Sequence, residues 1–104
     1  MQAAILAVVP QLALAGNEQA QGHAAAGHAV ARTWCTGCHV VDAGQKVASA
    51  AGAPSFAAIA AMPSSTPQAL HAFLAAPHPP MPDFQVSRQQ VDDITAYILS
   101  LKKP

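Results

Sequence analysis

The chain has 104 residues, enough for one domain, and its five basic and five acidic side chains cancel to a formal net charge of zero. No run of like charge is longer than the pairs Asp92-Asp93 and Lys102-Lys103, so the sequence gives no electrostatic basis for binding nucleic acid or an anionic membrane. Only three Phe, one Trp and one Tyr are present, which leaves an alanine-rich core short of apolar volume. Domains of this size commonly add a disulfide, a metal or a cofactor.

The N-terminal segment differs from the rest of the chain. Residues 3–15, AAILAVVPQLALA, are apolar apart from Gln11 and end in Ala-Leu-Ala, a pattern typical of a secretory signal peptide, although no Lys or Arg follows Met1. The segment is too short, and too broken by Pro10, to span a bilayer. We therefore expect a signal peptide over 1–15, a flexible lead-in over 16–22 and a folded domain over 23–104, with an apolar N-terminal arm as the alternative to export.

The first predicted helix runs from about His23 to His39, because this stretch is rich in alanine, the residue with the highest helix propensity. A loop is expected over residues 40–53. Pro54 then opens a short helical segment, 54–62, in which Phe56, Ile59 and Ala60 share one face.

The third predicted helix follows the rules for helix ends. Thr66 is a suitable N-cap, Pro67 occupies the first helical position and Pro77 lies just beyond the end. Its expected apolar face consists of Leu70, Phe73 and Leu74. The stretch that follows, PHPPMPDF at 77–84, is predicted to be a stiff, extended loop, because its prolines remove backbone donors and restrict φ.

The last predicted helix begins with a capping box formed by Ser87 and Gln90 and is closed by Lys102 and Lys103. Its apolar residues recur at helical spacing at Val91, Ile94, Ile98 and Leu101. Because no segment alternates apolar and polar residues for the length of a strand, we predict an all-α fold of about four to five short helices.

The only two cysteines of the chain lie in WCTGCH, residues 34–39. On a helical turn, residues three and four apart face the same side, so Cys35, Cys38 and His39 converge on one object. A disulfide here would close too small a loop to constrain the unfolded chain, and a zinc site would need a distant histidine as its fourth ligand. A thioredoxin-like redox site would need a βαβ context.

The fourth possibility is c-type haem attachment, in which both thiols form thioethers with the haem and the imidazole ligates the iron. The expected export, the all-α pattern and the shortage of aromatic bulk favour it, since a haem supplies apolar volume. We predict one haem c, covalently bound through Cys35 and Cys38.

A six-coordinate iron needs a second axial ligand. Met81 is favoured because a proline-stiffened loop can hold a weakly binding thioether in place, and His78, in the same loop, is its rival. We expect Met62 to serve packing and the remaining histidines, 23, 28 and 71, to lie on helix faces or at the surface.

Residues 22–103 resemble the small bacterial class I cytochromes c. Gly27 matches the glycine at which the first and last helices of that family cross, and Tyr97 in DDITAYILSL matches the aromatic that meets the first helix there. The segments APSF and PPMP resemble those that supply the proline carbonyl hydrogen-bonded to the proximal histidine and the axial methionine. The resemblance thus implies a Pro54 to His39 hydrogen bond and iron ligation by His39 and Met81.

Ala31 departs from the family pattern, which often has an aromatic residue four positions after the glycine. Either the helix crossing is less filled in this chain, or Trp34 compensates for the missing ring.

The resemblance also implies a function. We expect a soluble, monomeric, periplasmic one-electron carrier with protein redox partners, no nucleic-acid partner and no membrane span. With both axial positions occupied, the iron has no site for substrate, so an enzyme is not expected. Two alternatives stay open: a ligand-binding, sensing or peroxidase-like haem protein with a displaceable sixth ligand, and a Cys/His module without haem.

Overall fold

The computed structural model describes residues 2–5, 7, 22–48, 52–76, 81 and 85–104. These contain four α-helices: α1 (Ala24–Trp34), α2 (Phe56–Ala61), α3 (Pro67–Ala75) and α4 (Arg88–Ser100). The described residues contain no β-strand, and the all-α prediction is confirmed. Most of the expected signal peptide and lead-in, and all of the proline-rich loop except Met81, lie outside the described residues.

Helix α1 ends at Trp34, five residues before its predicted end. After the C-cap Cys35 the chain forms one tight turn, in which the Cys35 carbonyl accepts from the backbone N–H groups of Cys38 and His39 at 3.2 and 2.9 Å. Gly37, in the middle of this turn, is a poor helix former, so the regular helix stops before it. The prediction of a helix up to His39 is therefore wrong in its last residues, although the two cysteines and His39 do share a turn.

Helix α2 begins at Phe56 and not at Pro54. The Ser55 side chain accepts a hydrogen bond from the Ala58 N–H at 3.0 Å, which makes Ser55 the N-cap and leaves Pro54 outside the helix. Of the face predicted for this helix, Phe56 and Ala60 are buried and Ile59 is partly buried against the core.

Helix α3 begins as predicted, with Thr66 as N-cap and Pro67 as its first residue. Its expected apolar face is only partly correct, because Leu70 is buried whereas Phe73 is 54% exposed. The His71 ring pairs with Asp92 of α4, so α3 turns Leu70 and His71 toward α4 and rotates Phe73 outward.

Helix α4 is the central element, and α1, α2 and α3 all pack against it. Its capping box is present: Ser87 Oγ accepts from the Gln90 N–H at 3.1 Å, and Gln90 Oε1 accepts from the Ser87 N–H at 2.8 Å. The helix ends at Ser100, so Lys102 and Lys103 follow the C-cap and do not lie in the last turn. Its buried apolar side chains are Val91, Ile94, Tyr97 and Ile98.

Helices α1 and α4 cross in backbone contact at Gly27. A Cβ atom at this position would overlap the carbonyl group of Asp93 and crowd the backbone nitrogen of Ile94. The Asp93 side chain accepts from the backbone N–H of His23 at 2.8 Å and so ties the start of α1 to α4. A carboxylate at a helix N-terminus also interacts favourably with the helix dipole.

The ring of Tyr97 meets α1 beside this crossing, stacked on His28 with the ring centroids 4.5 Å apart and the planes 16° from parallel. Ala31 is fully buried, whereas Trp34 is 51% exposed. The substitute for the missing aromatic residue is therefore His28, and Trp34 does not fill the crossing.

Replacing Gly27 with Ala should separate α1 from α4 and lower the free energy of unfolding by about 2 kcal/mol, because the cost of overpacking exceeds the gain in helix propensity. Denaturant unfolding measures the change. Gly44→Ala is a matched control, since the nearest atom to a Cβ there is the Asp42 side chain at 3.4 Å. Equal midpoints for the two variants would contradict a tight crossing.

Candidate functional site

The turn after α1 presents two thiols and an imidazole. Cys35 and Cys38 are partly buried and not joined to each other, so the disulfide alternative is not what the structure contains. Burial, with a smaller contribution from the neighbouring Cys38, raises the pKa of the Cys35 thiol to about 11.

The imidazole of His39 is held by a backbone acceptor. Its Nδ1 lies 2.6 Å from the carbonyl oxygen of Pro54, the hydrogen bond implied by the family resemblance. Because a carbonyl only accepts, Nδ1 carries the proton, and Nε2 keeps its lone pair available for a metal. The Phe56 ring, with its centroid 5.5 Å from that of His39, packs against the imidazole.

The start of α2 brings the Pro54 carbonyl to the imidazole. The backbone N–H of Phe56 donates to the Val40 carbonyl at 2.9 Å, which joins this end of α2 to the residue after His39. Two hydrogen bonds therefore connect the Cys-x-x-Cys-His turn with residues 54–56. The His39 ring donates one to Pro54, and the backbone N–H of Phe56 donates the other to Val40.

The loop after the turn is organised by Gln45, which the sequence analysis did not single out. Its Nε2 donates to the carbonyls of Thr36 and His39, both at 2.8 Å, and to that of Val47 at 3.2 Å. Its Oε1 accepts from the Val41 N–H at 3.0 Å. A glutamine in a loop belongs to no recognisable motif, so only the folded loop reveals its partners.

A second cluster joins this loop to the helices. His28 Nε2 lies 2.9 Å from Asp42 Oδ2, and the Tyr97 hydroxyl donates to the Val41 carbonyl at 2.6 Å. The hydrogen bond from His28 is the main cause that lowers the pKa of Asp42, and burial acts in the opposite direction. Burial also raises the pKa of Tyr97, which keeps its hydroxyl protonated as a donor.

The candidates for a second axial ligand are separated by their contacts. His28 and His71 are paired with Asp42 and Asp92, and His23 is an exposed helix N-cap. Met62, expected to pack, is 42% exposed at the end of α2, which corrects that prediction. Met81 is partly buried, whereas its rival His78 lies outside the described residues.

A zinc site is not supported by the grouping of these side chains. In the part of the chain that the structure describes, no set of three His, Cys, Asp or Glu residues is arranged to hold a metal ion. The donor set of the turn, two thiols and one imidazole with a free Nε2, instead fits covalent attachment and ligation of a haem.

An all-α fold with this turn defines a c-type haem protein. The cytochrome c family model matches residues 24–102, and the chain belongs to that family. It is 47% identical over 93 residues to cytochrome c-552 of Bradyrhizobium diazoefficiens, with 88% of each chain covered. No solved structure matches the chain significantly.

Family membership establishes the cofactor and the class of activity. The protein is an electron carrier with covalent haem c, not an enzyme, and it exchanges electrons with redox partners. The cysteines of its Cys-x-x-Cys-His motif are Cys35 and Cys38. Among the described residues, no helix has the length and apolar character needed to cross a membrane.

The His28 to Asp42 contact predicts a pH dependence. Because the folded-state pKa of Asp42 is depressed, its stabilisation is present above the unfolded value of about 3.9 and is lost as the pH falls through the lower folded value. His28→Phe keeps a ring against Tyr97 but removes the hydrogen bond, so the pKa of Asp42 should rise.

Carboxyl-carbon NMR titration of Asp42 measures this rise. His71→Phe is the matched control, because it breaks the separate His71 to Asp92 pair and leaves Asp42 untouched. If Asp42 titrates identically in both variants, the hydrogen bond from His28 is not the cause of its low pKa.

Proposed function

We propose that the protein is a one-electron carrier in which His39 and Met81 would ligate the haem iron. The observation that carries this proposal is the hydrogen bond from His39 Nδ1 to the Pro54 carbonyl. It leaves Nε2 as the coordinating atom, in a side chain adjacent to Cys38. When bound, the haem supplies the redox couple, alternating between ferric and ferrous iron.

Residues of the chain around the turn influence the reduction potential of this couple. The Pro54 carbonyl orients the His39 ring and raises the basicity of the imidazole as a metal ligand. The apolar side chains around the turn, including Val41 at 0% exposure and Phe56 at 4%, lower the local dielectric. A low-dielectric environment disfavours the extra charge of the ferric state and so raises the reduction potential.

Met81 is the proposed sixth ligand for two reasons. Two of the histidine candidates are engaged in hydrogen bonds with aspartates, and Met62 is exposed, whereas Met81 is partly buried. A thioether also favours ferrous iron, which suits a carrier of high potential.

We also propose that the protein works in the periplasm as a monomer. Residues 1–15 have the apolar core and the Ala-Leu-Ala end of a signal peptide, and their removal would leave the domain that begins near His23. Covalent attachment through two thioethers also prevents loss of the haem from such a small domain.

Met81→Ala should leave the haem attached, open the sixth position and lower the reduction potential. The measurements are the ferric charge-transfer band of the iron–sulfur bond, binding of carbon monoxide to the ferrous protein, and a redox titration. Met62→Ala is the control and should change none of them, since Met62 is exposed. An unchanged Met81→Ala spectrum would reassign the ligand role, with His78 as the first alternative.

The same measurements on the unmodified protein test the competing function. Tight carbon monoxide binding without an iron–sulfur band would favour a ligand-binding or sensing haem protein over the carrier. Weak binding with the band present supports His/Met ligation.

Intact mass in denaturant, on protein expressed where haem maturation operates, should show a polypeptide that carries one haem. The same spectrum tests export, because removal of residues 1–15 gives a chain that begins at Gly16. A full-length exported chain with haem would contradict the signal peptide and leave the carrier function intact.

A further inference from the structure

We propose that Gln45 is a positioning residue for the proximal histidine. Its carboxamide holds the backbone of the turn that carries His39, and through that backbone it sets the orientation of the imidazole. The inference rests on the proposed ligation of iron by His39.

The chemistry of the carboxamide matches its surroundings. One planar, uncharged group offers two N–H donors and one acceptor, and here all of them are used. The two donors point to the carbonyls of Thr36 and His39 at 2.8 Å each, and Val47 makes a longer third contact at 3.2 Å. The acceptor receives the Val41 N–H at 3.0 Å.

These partners lie at both ends of the Cys-x-x-Cys-His turn. Thr36 lies just after Cys35, and His39 closes the turn, so Gln45 joins the beginning of the turn to its end. His39 is consequently held at three points: its N–H donates to the Cys35 carbonyl at 2.9 Å, its carbonyl accepts from Gln45, and its ring donates to Pro54.

Gln45 is held in place by its own loop and, through Val41, by α4. Its backbone N–H donates to the Asp42 carbonyl at 3.2 Å, which closes the turn that presents the side chain. Val41, whose N–H it binds, is fully buried, and the Val41 carbonyl accepts from the Tyr97 hydroxyl. The carboxamide is thus fastened to a buried part of the fold, as a group that positions another must be.

The role in positioning follows from this geometry. The His39 ring is tethered to Pro54 at one end and to its own Cα at the other. If the two donors of Gln45 are lost, the Thr36 and His39 carbonyls lose their partner and the turn relaxes. The Cα then moves relative to Pro54, and the ring must rotate.

Three substitutions at Gln45 distinguish the loss of its N–H donors from changes in the size and charge of the side chain. Gln45→Leu removes donors and acceptor, Gln45→Glu keeps the acceptor but replaces the donors with oxygen, and Gln45→Lys keeps N–H donors alone. Gln68→Glu is the control for the Glu variant, because it introduces the same charge at an exposed position of α3.

The readouts are the hyperfine-shifted haem-methyl and His39 resonances of the ferric holoprotein, which report the orientation of the axial imidazole, together with the reduction potential and the thermal midpoint. We expect altered methyl shifts and a shifted potential in the Leu and Glu variants. The Lys variant keeps donors but loses the acceptor for the Val41 N–H and adds a positive charge, so its methyl shifts should lie closer to wild type than those of the Glu variant, and Gln68→Glu should leave the methyl shifts unchanged. If the Leu variant does not fold, a comparison of the Glu and Lys variants still tests the proposal.

Two results would overturn the proposal in distinguishable ways. Lower thermal midpoints with wild-type methyl shifts and potential in the Leu and Glu variants would make Gln45 a stabiliser of the loop only. If the spectrum of the unmodified protein shows that His39 does not ligate the haem, the proposed ligation is refuted, and the role of Gln45 with it.

Discussion

The backbone contact between α1 and α4 at Gly27 is the constraint on which the rest of the structure depends. Any side chain at this position would overlap the carbonyl of Asp93, so only glycine lets the two helices approach this closely. The approach brings Tyr97 to His28 and to the Val41 carbonyl, and it brings the Asp93 carboxylate to the start of α1. Because the Cys-x-x-Cys-His turn directly follows α1, the crossing also sets where the haem-attachment residues lie.

The site itself is built mainly from neutral hydrogen bonds to backbone groups. Pro54 and Gln45 hold the His39 ring and carbonyl, and Tyr97 holds the next part of the loop through Val41. The two His–Asp hydrogen bonds lie nearer the surface, where about a third of each histidine side chain is exposed. Because exposed ion pairs contribute little to stability, we attribute the rigidity of the turn chiefly to the uncharged hydrogen bonds that Gln45 and Pro54 make with it.

Signals that act over three or four residues predicted the structure correctly. Thr66 with Pro67, and Ser87 with Gln90, cap their helices as expected, because a cap bonds backbone groups within its own first turn. Two helix ends were nevertheless predicted wrongly, the end of α1 and the start of α2, and a further error arose where packing between helices decides which face is buried. Phe73 is exposed because α3 turns Leu70 and His71 toward α4.

The chemistry of the site could be predicted from the sequence, because the two cysteines and the adjacent histidine stand at the spacing of c-type haem attachment and the rest of the chain, all-α in pattern and poor in aromatic residues, favours a haem. The sequence also indicated Gly27, Tyr97 and Pro54 through the family resemblance. Only the tertiary structure decided which groups hold the turn, because Gln45, Asp42 and His28 act through contacts across loops and helices. Such contacts leave no periodic or spaced pattern in a sequence; they exist once the chain has brought the partners within hydrogen-bonding distance.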